Sequence, residues 1–289
     1  MLRIVPEEVK VPVRHQFMLG AISPRPIAFV STIDEEGRPN LSPYSFFNAV
    51  GSNPATIIFS PALSGRTAQT KDTLLNIRAT GEAVVNIVNY SMVQQMSLAS
   101  SPYPRGVNEF EKAGFTMVAS EIVRPFRVGE SHVQMECKVK DIIATGSMGG
   151  AGNIVIAEIV LMHIDEKVLD ADGKIDPYKM DYVSRMGGNY YSRVIPESIF
   201  ELVQPKDTMG MGMDQLPAHI KNSSILTGNQ LGALANLESM PTQEAVDAFL
   251  REHPEYAAMH DAVAKHTAAA ALLDKGEVTA AFCLLLTSI

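Results

Sequence analysis

The feature that most constrains the fold is a series of short, β-rich apolar segments separated by brief polar turns. Such segments occur at residues 26–33, 55–60, 83–88 and 153–164, and residues 131–144 alternate in part between apolar and polar residues. Apolar and β-branched runs of this length are typical of buried strands, and few helical patterns lie between them. Many strands at short spacing favour a sheet that closes on itself, because closure protects the unpaired strand edges. We therefore expect a mainly β chain with a closed or nearly closed barrel and short helices.

The pattern changes to helical after about residue 205. Thr242 stands where a helix cap is expected, and residues 255–273 form an Ala-rich amphipathic stretch. We therefore expect two domains, a strand-rich domain over residues 1–205 and a helical C-terminal appendage over residues 206–289.

The composition is that of an ordinary soluble globular chain. Of the 289 residues, 46% are hydrophobic and 19% are charged, so the chain can bury a core and has no signature of disorder. The formal net charge of −8 disfavours a general nucleic-acid or anionic-membrane binder, since both of these partners are negatively charged. We expect no nucleic-acid and no membrane partner, although a local basic pocket is compatible with this charge.

Cysteine use and the chain ends favour a cytoplasmic protein. Cys137 and Cys283 lie far apart in sequence and form no CxxC or metal-binding pattern, so we interpret them as buried apolar thiols. The histidines show no metal-ligand spacing either, and we expect no metal. The first ten residues contain no apolar signal core, and the apolar run at residues 278–286 is too short to span a bilayer.

Residues 40–50 are predicted to pair with the first strand across a polar turn at residues 34–38. Within them, residues 42–48 concentrate hydroxyl, amide and aromatic groups beside a proline. An apolar slot with backbone donors at its edge suits a flat ring system. The alternative is a strand with two core-facing phenylalanines, which the periodicity also allows. The candidate ligand-binding residues here are Ser42, Pro43, Tyr44, Ser45, Phe46 and Asn48.

A cation and hydroxyls follow at the start of a predicted helix over residues 73–80. Arg66, Lys71 and Thr73 can bind a phosphate there, because the amides of the first helical turn and the helix dipole also attract an anion. Asp72 belongs to the same candidate set, with the helix N-cap as its main expected role. The alternative is an exposed lysine beside a capped helix.

Three further polar residues each have two interpretations. Arg25, which leads into the first strand, can serve a phosphate or a partner chain, or it can be a structural residue at a rigid, proline-flanked strand entry. Thr32 lies near the end of that strand, where a hydroxyl can face a ligand, although threonine is also a common strand residue. His132 is a candidate for contact with a nicotinamide donor or for proton donation, with an ordinary surface histidine as the alternative.

Several motifs follow one another in a distinctive order: Ser23-Pro24-Arg25-Pro26 leading to Ser31-Thr32, then residues 40–48, Lys71-Asp72-Thr73, Glu136-Cys137 and residues 185–191. In this order and spacing they resemble the flavin reductase-like family, whose fold is the FMN-binding split β-barrel, a Greek-key arrangement. The likeness extends over about residues 10–205 and is to a longer, flavoredoxin-type branch of the family.

That resemblance implies a homodimer that binds FMN near the subunit interface. The flavin contacts of the family correspond here to Thr32, residues 42–48, Lys71 and Thr73. It also implies NADH or NADPH as the electron donor, because flavin reductases of the family use these nucleotides. The residues after Pro205 lie outside the common core and are expected to extend the dimer contact or to cover the flavin.

Three functions are open at this point. The first is an FMN-dependent oxidoreductase, an NAD(P)H-dependent flavin or ferric-complex reductase, in which the flavin carries the electron chemistry and the protein supplies binding, orientation and tuning. The second is a flavoredoxin-like electron carrier that binds FMN but has no productive nicotinamide site. The third is a binding module without redox turnover. The expected partners are a second copy of the chain and a small-molecule or protein electron partner.

Overall fold

The structure is a computed structural model that describes residues 1–202, 204–205 and 207–287. The chain divides into two compact units, Met1–Phe200 and Glu201–Ile289. The first unit is built on one large sheet and the second is built from helices, so the predicted mainly β chain with a helical C-terminal region is confirmed. Lys206 and Ile289, the two ends of the predicted appendage, lie outside the described residues.

A seven-stranded sheet organises the first unit. The strands of this unit, in chain order, are β1 (Ala28–Ile33), β2 (Pro39–Tyr44), β3 (Phe47–Ser52), β4 (Ala55–Phe59), β5 (Glu82–Ile87), β6 (Met117–Val118), β7 (Arg127–Val128), β8 (Val133–Ala144), β9 (Asn153–Ile164), β10 (Val183–Arg185) and β11 (Tyr191–Arg193). The large sheet has the order β2-β1-β5-β8-β9-β4-β3, and all its neighbouring strands are antiparallel. β6 pairs with β7, and β10 pairs with β11.

The prediction of one strand over residues 40–50 is wrong, because the chain turns in the middle of this segment. Tyr44 ends β2, and Phe47 begins β3, which pairs with β4 at the opposite edge of the sheet. β2 and β3 are the two edge strands of the sheet. Ser45 and Phe46 therefore form a corner, called the β2–β3 corner below, that carries the chain from one edge of the sheet to the other.

The α-helices of the first unit are α1 (Val11–Ala21), α2 (Asp72–Thr80), α3 (Val93–Ala99) and α4 (Glu109–Ala113). No residue of α1 is fully buried, and the sequence patterns above do not predict this helix. α2 ends at Gly81, whose φ of 69° is a left-handed conformation that favours glycine.

The prediction that Asp72 caps α2 is wrong. Lys71 is the N-cap residue and makes no side-chain capping bond, while Asp72 is the first helical residue. The Asp72 carboxylate instead accepts a hydrogen bond from Arg105 Nη1 at 2.9 Å. A charged guanidinium binds a carboxylate more strongly than a neutral backbone amide does, and a carboxylate in the first turn still interacts favourably with the helix dipole.

β1 is buried along its whole length, as its apolar sequence predicts. Successive side chains of a strand point to opposite faces. Ala28 and Val30 accordingly belong to one core cluster together with Leu74 of α2, whereas Phe29 belongs to a second cluster that includes Phe110 of α4. Core packing on both sides of β1 explains why it has no polar face to solvent.

β8 also has two buried faces over its first half, although its sequence alternates between apolar and polar residues. Met135 and Cys137 are buried on the apolar side, and Gln134 and Glu136 are buried on the polar side. The polar side is covered by the chain segment that precedes β7, and Glu136 binds that segment directly.

Glu136 is held by hydrogen bonds to both of its oxygens. Oε1 accepts the amide of Glu121 at 2.8 Å, and Oε2 accepts the amides of Ile122 and Val123 at 2.7 and 3.0 Å. His163 Nε2 lies 2.7 Å from Oε1. Burial by itself raises the pKa of the Glu136 carboxyl, but these hydrogen bonds outweigh burial and lower the pKa to about 2.

The second unit is helical over much of its described length. Thr242 caps α7, as predicted, by accepting the amide of Ala245 at 3.3 Å. The Ala-rich stretch 255–273 is divided between α8 and α9, because Asp261 caps α9 by accepting the amide of Ala264 at 2.8 Å. The helices are α5 (Ala218–Lys221), α6 (Gly228–Ala235), α7 (Gln243–Glu252), α8 (Pro254–Ala257), α9 (Ala262–Asp274) and α10 (Val278–Leu286).

The apolar segment near the end of the chain is α10, which packs into the core of the second unit. Its buried residues include Phe282 and Leu284, and they form one cluster with Leu234 of α6 and Phe249 of α7. Across the described part of the chain, no helix has both the length and the apolar character that crossing a membrane requires.

We expect Glu136→Gln to lower the free energy of unfolding at pH 7 by about 2–3 kcal/mol, because a neutral amide offers one acceptor where the carboxylate serves several donors. The stability that Glu136 contributes is complete above its ordinary pKa of 4.5 and is lost as the pH falls toward its folded pKa of about 2. Urea unfolding between pH 7 and pH 2 should therefore show the wild type approaching the variant only below pH 4.5. Glu121→Gln, which alters an exposed carboxylate of the same segment, is the control. Equal stabilities of wild type and Glu136→Gln at pH 7 would contradict this role.

Candidate functional site

The predicted ring-binding residues 42–48 differ in their exposure to solvent. Tyr44, the last residue of β2, is buried, and its side chain belongs to the core. Phe46 exposes 37% of its surface at the β2–β3 corner, and Asn48 is exposed in β3. Intermediate exposure is shared by Ser42, Pro43 and Ser45.

The first turn of α2 offers backbone donors that the protein does not use. The Leu74 amide donates to the Lys71 carbonyl at 3.0 Å, but the amides of Asp72 and Thr73 donate to no acceptor within the described residues. Lys71 is exposed beside these two amides. Free N–H groups, the helix dipole and an ammonium group together favour the binding of an anion at this point.

Arg66 lies in the loop that joins β4 to α2, and it is exposed. The loop is held at two points: the Leu63 amide donates to the Ala151 carbonyl at 2.8 Å, and the Ala68 amide donates to the Ser64 carbonyl at 2.8 Å. Arg66 lies in the fixed loop between Ser64 and Ala68, and it forms no ion pair with a residue that the structure describes. Its charge is therefore free to contribute to an anion site near Lys71.

The Thr73 side chain is buried, and its hydroxyl is used inside the protein. Thr73 is 1% exposed, its Oγ1 accepts the Tyr44 hydroxyl at 2.9 Å, and it donates to Asn40 Oδ1 at 2.7 Å. A threonine hydroxyl has one proton, so this arrangement leaves no O–H donor for a ligand. The side chains of Thr73 and Tyr44 thus tie the start of α2 to the end of β2.

Asn40 extends this connection to α4. Its Nδ2 donates to Oε1 and Oε2 of Glu109 at 3.2 and 3.3 Å, and the Leu41 amide donates to Oε2 at 3.0 Å. Burial raises the pKa of the Glu109 carboxyl, while the bonds from Leu41 and Asn40 oppose that rise. Because both oxygens of Glu109 act as acceptors, a carboxylate fits this position better than an amide does.

Thr32 belongs to the same buried network and has no exposed surface. Its Oγ1 donates to Asn40 Oδ1 at 3.4 Å and accepts Asn76 Nδ2 at 3.1 Å. Asn76 Oδ1 accepts Arg105 Nη2 at 3.4 Å, and Arg105 also pairs with Asp72 at 2.9 Å. A continuous series of contacts therefore runs from β1 to the first residue of α2.

The structure brings the predicted residues together in two groups. Thr32, Tyr44 and Thr73 share the buried network around Asn40, whereas Lys71 and the outer residues of the corner remain accessible. The supporting residues Glu109, Asn76 and Arg105 did not stand out in the sequence. Asn76 carries a recognisable signal, since it is a polar residue among the buried positions of α2, but the contacts of Glu109 and Arg105 arise only on folding.

His132 is not part of this network. It directly precedes β8, and β5 and β1 lie between β8 and β2 in the sheet. Its Nδ1 lies 3.2 Å from Asp165 Oδ2, and its carbonyl accepts the Asp165 amide at 2.9 Å. The residue predicted to contact a nicotinamide therefore already has a carboxylate partner at the end of the β8–β9 pair.

A cleft of about 220 Å³ lies elsewhere in the first unit, at α3 and β11. Arg193 at its edge is fixed, because its guanidinium lies 3.8 Å from the centre of the Tyr90 ring and 2.6 Å from Asp181. None of the predicted ligand-binding residues lines this cleft. The candidate site is thus an accessible junction between the β2–β3 corner and the start of α2.

Comparison with known proteins places the similarity in the first unit. A family model described as the flavin reductase like domain matches residues 19–180. A protein of Aquifex aeolicus (strain VF5) is 34% identical to this chain over 197 residues, which cover 68% of this chain and 97% of that protein. The family match includes β1 to β9 and ends before the second unit begins.

Solved structures show the same split-barrel fold, so the predicted fold class is confirmed. Nitrilotriacetate monooxygenase component B from Bacillus cereus is 32% identical with a TM-score of 0.65, over 70% of this chain and 98% of that chain. The 2-nitrobenzoate 2-nitroreductase NbaA of Pseudomonas fluorescens is 27% identical with a TM-score of 0.64, over 73% of this chain and 100% of that chain. Flavoredoxin of Desulfovibrio vulgaris (Miyazaki F) is 25% identical with a TM-score of 0.53, over 64% of this chain and 92% of that chain.

Proposed function

The chain belongs to the family of flavin reductase-like domains, and on this premise we propose that it is an FMN-dependent oxidoreductase that takes electrons from NADH or NADPH. Its acceptor in this proposal is a free flavin or a ferric complex. The observation that carries the proposal is the first turn of α2, where two unused amides and Lys71 lie directly beside the side chain that anchors β2.

The start of α2 fits the single terminal phosphate of FMN. The amides of Asp72 and Thr73 supply hydrogen-bond donors, and Lys71 and Arg66 supply positive charge. The buried Thr73 side chain holds this turn in place and leaves direct contact to the amides. Riboflavin lacks the phosphate, and FAD carries a bridging diphosphate in its place, so this donor set favours FMN over both.

The β2–β3 corner suits the flat ring of the flavin. Pro43 and Ser45 are half-buried there, and Phe46 offers an accessible aromatic surface. Backbone donors at such a corner can bind the polar edge of the ring and tune its affinity for electrons. The network around Asn40 joins the corner strand to α2, and it therefore keeps the ring-binding and phosphate-binding groups at a constant separation.

When bound, FMN supplies the hydride and electron transfer. The residues of this chain bind the phosphate, orient the ring and shape its surroundings. We assign no acid–base role to His132, because β1 and β5 separate β8, which it directly precedes, from β2 and from the candidate flavin site.

The position of His132, two strands away from β2, together with the likeness to flavoredoxin, favours a second candidate function, an FMN-binding electron carrier without a productive nicotinamide site. The carrier and the oxidoreductase share the FMN site and differ only in their electron donor.

We further propose that residues 1–205 form the flavin-binding domain and that residues 206–289 form a separate helical domain that contributes to assembly. The second unit has its own apolar core, and all candidate flavin ligands precede it.

We place the protein in the cytoplasm on the basis of its cysteines. Both are free and buried, which suits a reducing compartment.

We propose that the protein is a homodimer. All of α1 lies at the surface, where Phe17 and Met18 are 44% and 46% exposed, and Val50 in β3 is 54% exposed. Exposed apolar surfaces of this kind usually meet a partner, and β3 continues directly from the corner that would hold the ring.

The purified protein should be yellow or become yellow with FMN. The variant Lys71→Ala should bind FMN about tenfold or more weakly, while its affinity for riboflavin stays unchanged. The reason is that a charge-assisted hydrogen bond contributes about 1.5–3 kcal/mol, and only FMN has the phosphate to accept one. Isothermal titration with FMN, FAD and riboflavin measures this, with Lys138→Ala, another exposed lysine, as the control. Equal wild-type affinities for FMN and riboflavin would refute the phosphate site.

Stopped-flow reduction of the FMN-loaded protein separates the two candidate functions. The oxidoreductase should be reduced by NADH or NADPH at a rate that saturates with nucleotide concentration, because a bound complex precedes hydride transfer. His132→Ala should leave this rate within about twofold, since His132 lies away from the candidate flavin site. Negligible reduction by both nucleotides, together with rapid reduction by a protein donor, would replace the oxidoreductase by the carrier.

Sedimentation equilibrium at micromolar concentration should show a dimer that Val50→Glu shifts toward the monomer, because a buried charge at an apolar interface is costly. Lys138→Glu, a charge change at another exposed strand position, should leave the dimer intact. A wild-type monomer under these conditions would exclude the proposed assembly.

A further inference from the structure

Arg25 is a buried residue whose guanidinium joins three segments of the first unit. It is 4% exposed. Nη1 donates to the Leu19 carbonyl at 2.7 Å and also to the Ile22 carbonyl at the end of α1, while Nη2 donates to the Met186 carbonyl at 3.0 Å. Nε donates to Ser45 Oγ at 3.5 Å. Arg25 thereby fixes the β2–β3 corner relative to α1 and to the β10–β11 hairpin, which supports its structural interpretation.

The positive charge of Arg25 is not balanced by a carboxylate. All of its hydrogen-bond partners are carbonyl or hydroxyl oxygens, and no described aspartate or glutamate forms an ion pair with it. An arginine without a counter-ion in a buried position creates a lasting positive potential around it, because little water is present to screen the charge.

Arg185 adds a second positive charge next to the first. The backbones of Arg25 and Arg185 exchange two hydrogen bonds of 2.9 Å each. The Arg185 guanidinium donates to the Gly188 carbonyl at 2.9 Å and stacks over the Tyr191 ring at 4.5 Å, and within the described chain it has no acidic partner either. Burial, followed by the charge of Arg185, lowers the pKa of Arg25, in keeping with the closeness of the two cations.

We infer that Arg25 and Arg185 form a pair of positive charges that stabilises the reduced form of the bound flavin and so raises its redox potential. The inference rests on the proposed function, since Ser45, which contacts Arg25, belongs to the corner that would hold the ring. A hydride from NADH or NADPH brings two electrons and one proton to the neutral oxidised ring and leaves oxidised nicotinamide. The ring thereby gains one negative charge, which a nearby cation stabilises.

Arg25 and Arg185 differ from Lys71 and Arg66 in their expected effect on the redox potential of the flavin. The phosphate carries the same charge in oxidised and reduced FMN, so a cation at the phosphate strengthens the binding of both forms equally. An interaction that does not distinguish two states cannot shift the equilibrium between them. Of these positive charges, only those at the ring end can change the redox potential.

The test compares Arg25→Gln, Arg25→Lys and Arg185→Gln with the wild type in the full-length protein loaded with FMN. The redox potential is measured by dithionite titration against a reference dye, and the dissociation constant of oxidised FMN is measured by fluorescence. Arg185→Gln alters a half-buried residue and so provides a readout even where Arg25→Gln does not fold. Arg78→Gln, an exposed arginine in the last turn of α2, is the matched control.

We expect Arg25→Gln and Arg185→Gln each to reduce the preference for reduced over oxidised FMN about tenfold, which lowers the potential of this two-electron couple by about 30 mV. Arg25→Lys should keep the potential and lower the unfolding temperature, because one ammonium group retains the charge but cannot reach all the partners of the guanidinium. Arg78→Gln should change neither quantity.

Wild-type potentials in FMN-loaded Arg25→Gln and Arg185→Gln would overturn this inference and leave the proposed function intact. A potential in Arg25→Lys as low as in Arg25→Gln would also overturn it, because position and not charge would then be responsible. If Arg25→Gln fails to fold, an unchanged potential in Arg185→Gln alone decides against the inference. If the wild-type protein does not bind FMN, both the inference and the proposed function are refuted.

Discussion

The proposed site depends on the hydrogen bonds that the buried Asn40 side chain forms. Its oxygen accepts the hydroxyls of Thr73 and Thr32, and its nitrogen donates to Glu109. A buried polar group left without a partner costs about 1–3 kcal/mol, so each of these partners is held firmly in place. The first turn of α2 is therefore tied to β2, and the Asp72 and Thr73 amides of that turn donate to no acceptor within the described residues.

Positive charges are concentrated locally in this protein, although its net charge is negative. The chain carries a formal net charge of −8, yet Lys71 stands directly before α2, Arg66 lies in the loop that leads to it, and Arg25 contacts the β2–β3 corner. The two ends of a bound FMN would thus meet different kinds of positive charge. The exposed pair is suited to holding a phosphate, whereas the buried arginine is suited to influencing a ring whose charge changes during the reaction.

The family relationship and the physical arguments concern the same part of the chain. The family match covers residues 19–180, and the network around Asn40 lies wholly within that range. The second unit forms its own core around residues such as Leu234 and Phe282 and needs no residue of the matched region for that purpose. The long apolar run of α10, which looks unusual in the sequence, is explained by burial in this core.

The sequence by itself predicted β1, β4, β5, β8 and β9 to within two residues, because uninterrupted or alternating apolar runs can be satisfied only in a sheet with a covered face, and it predicted α2 to within one residue of its start. Its motifs also sufficed to identify the family. The sequence could not determine that the chain turns at Ser45 and Phe46, that Asp72 binds Arg105, or that Thr73 faces inward, since each depends on a partner that is distant along the chain. Local patterns report how a segment buries its own surface, whereas the partners of a buried polar group are decided only when the segments pack together.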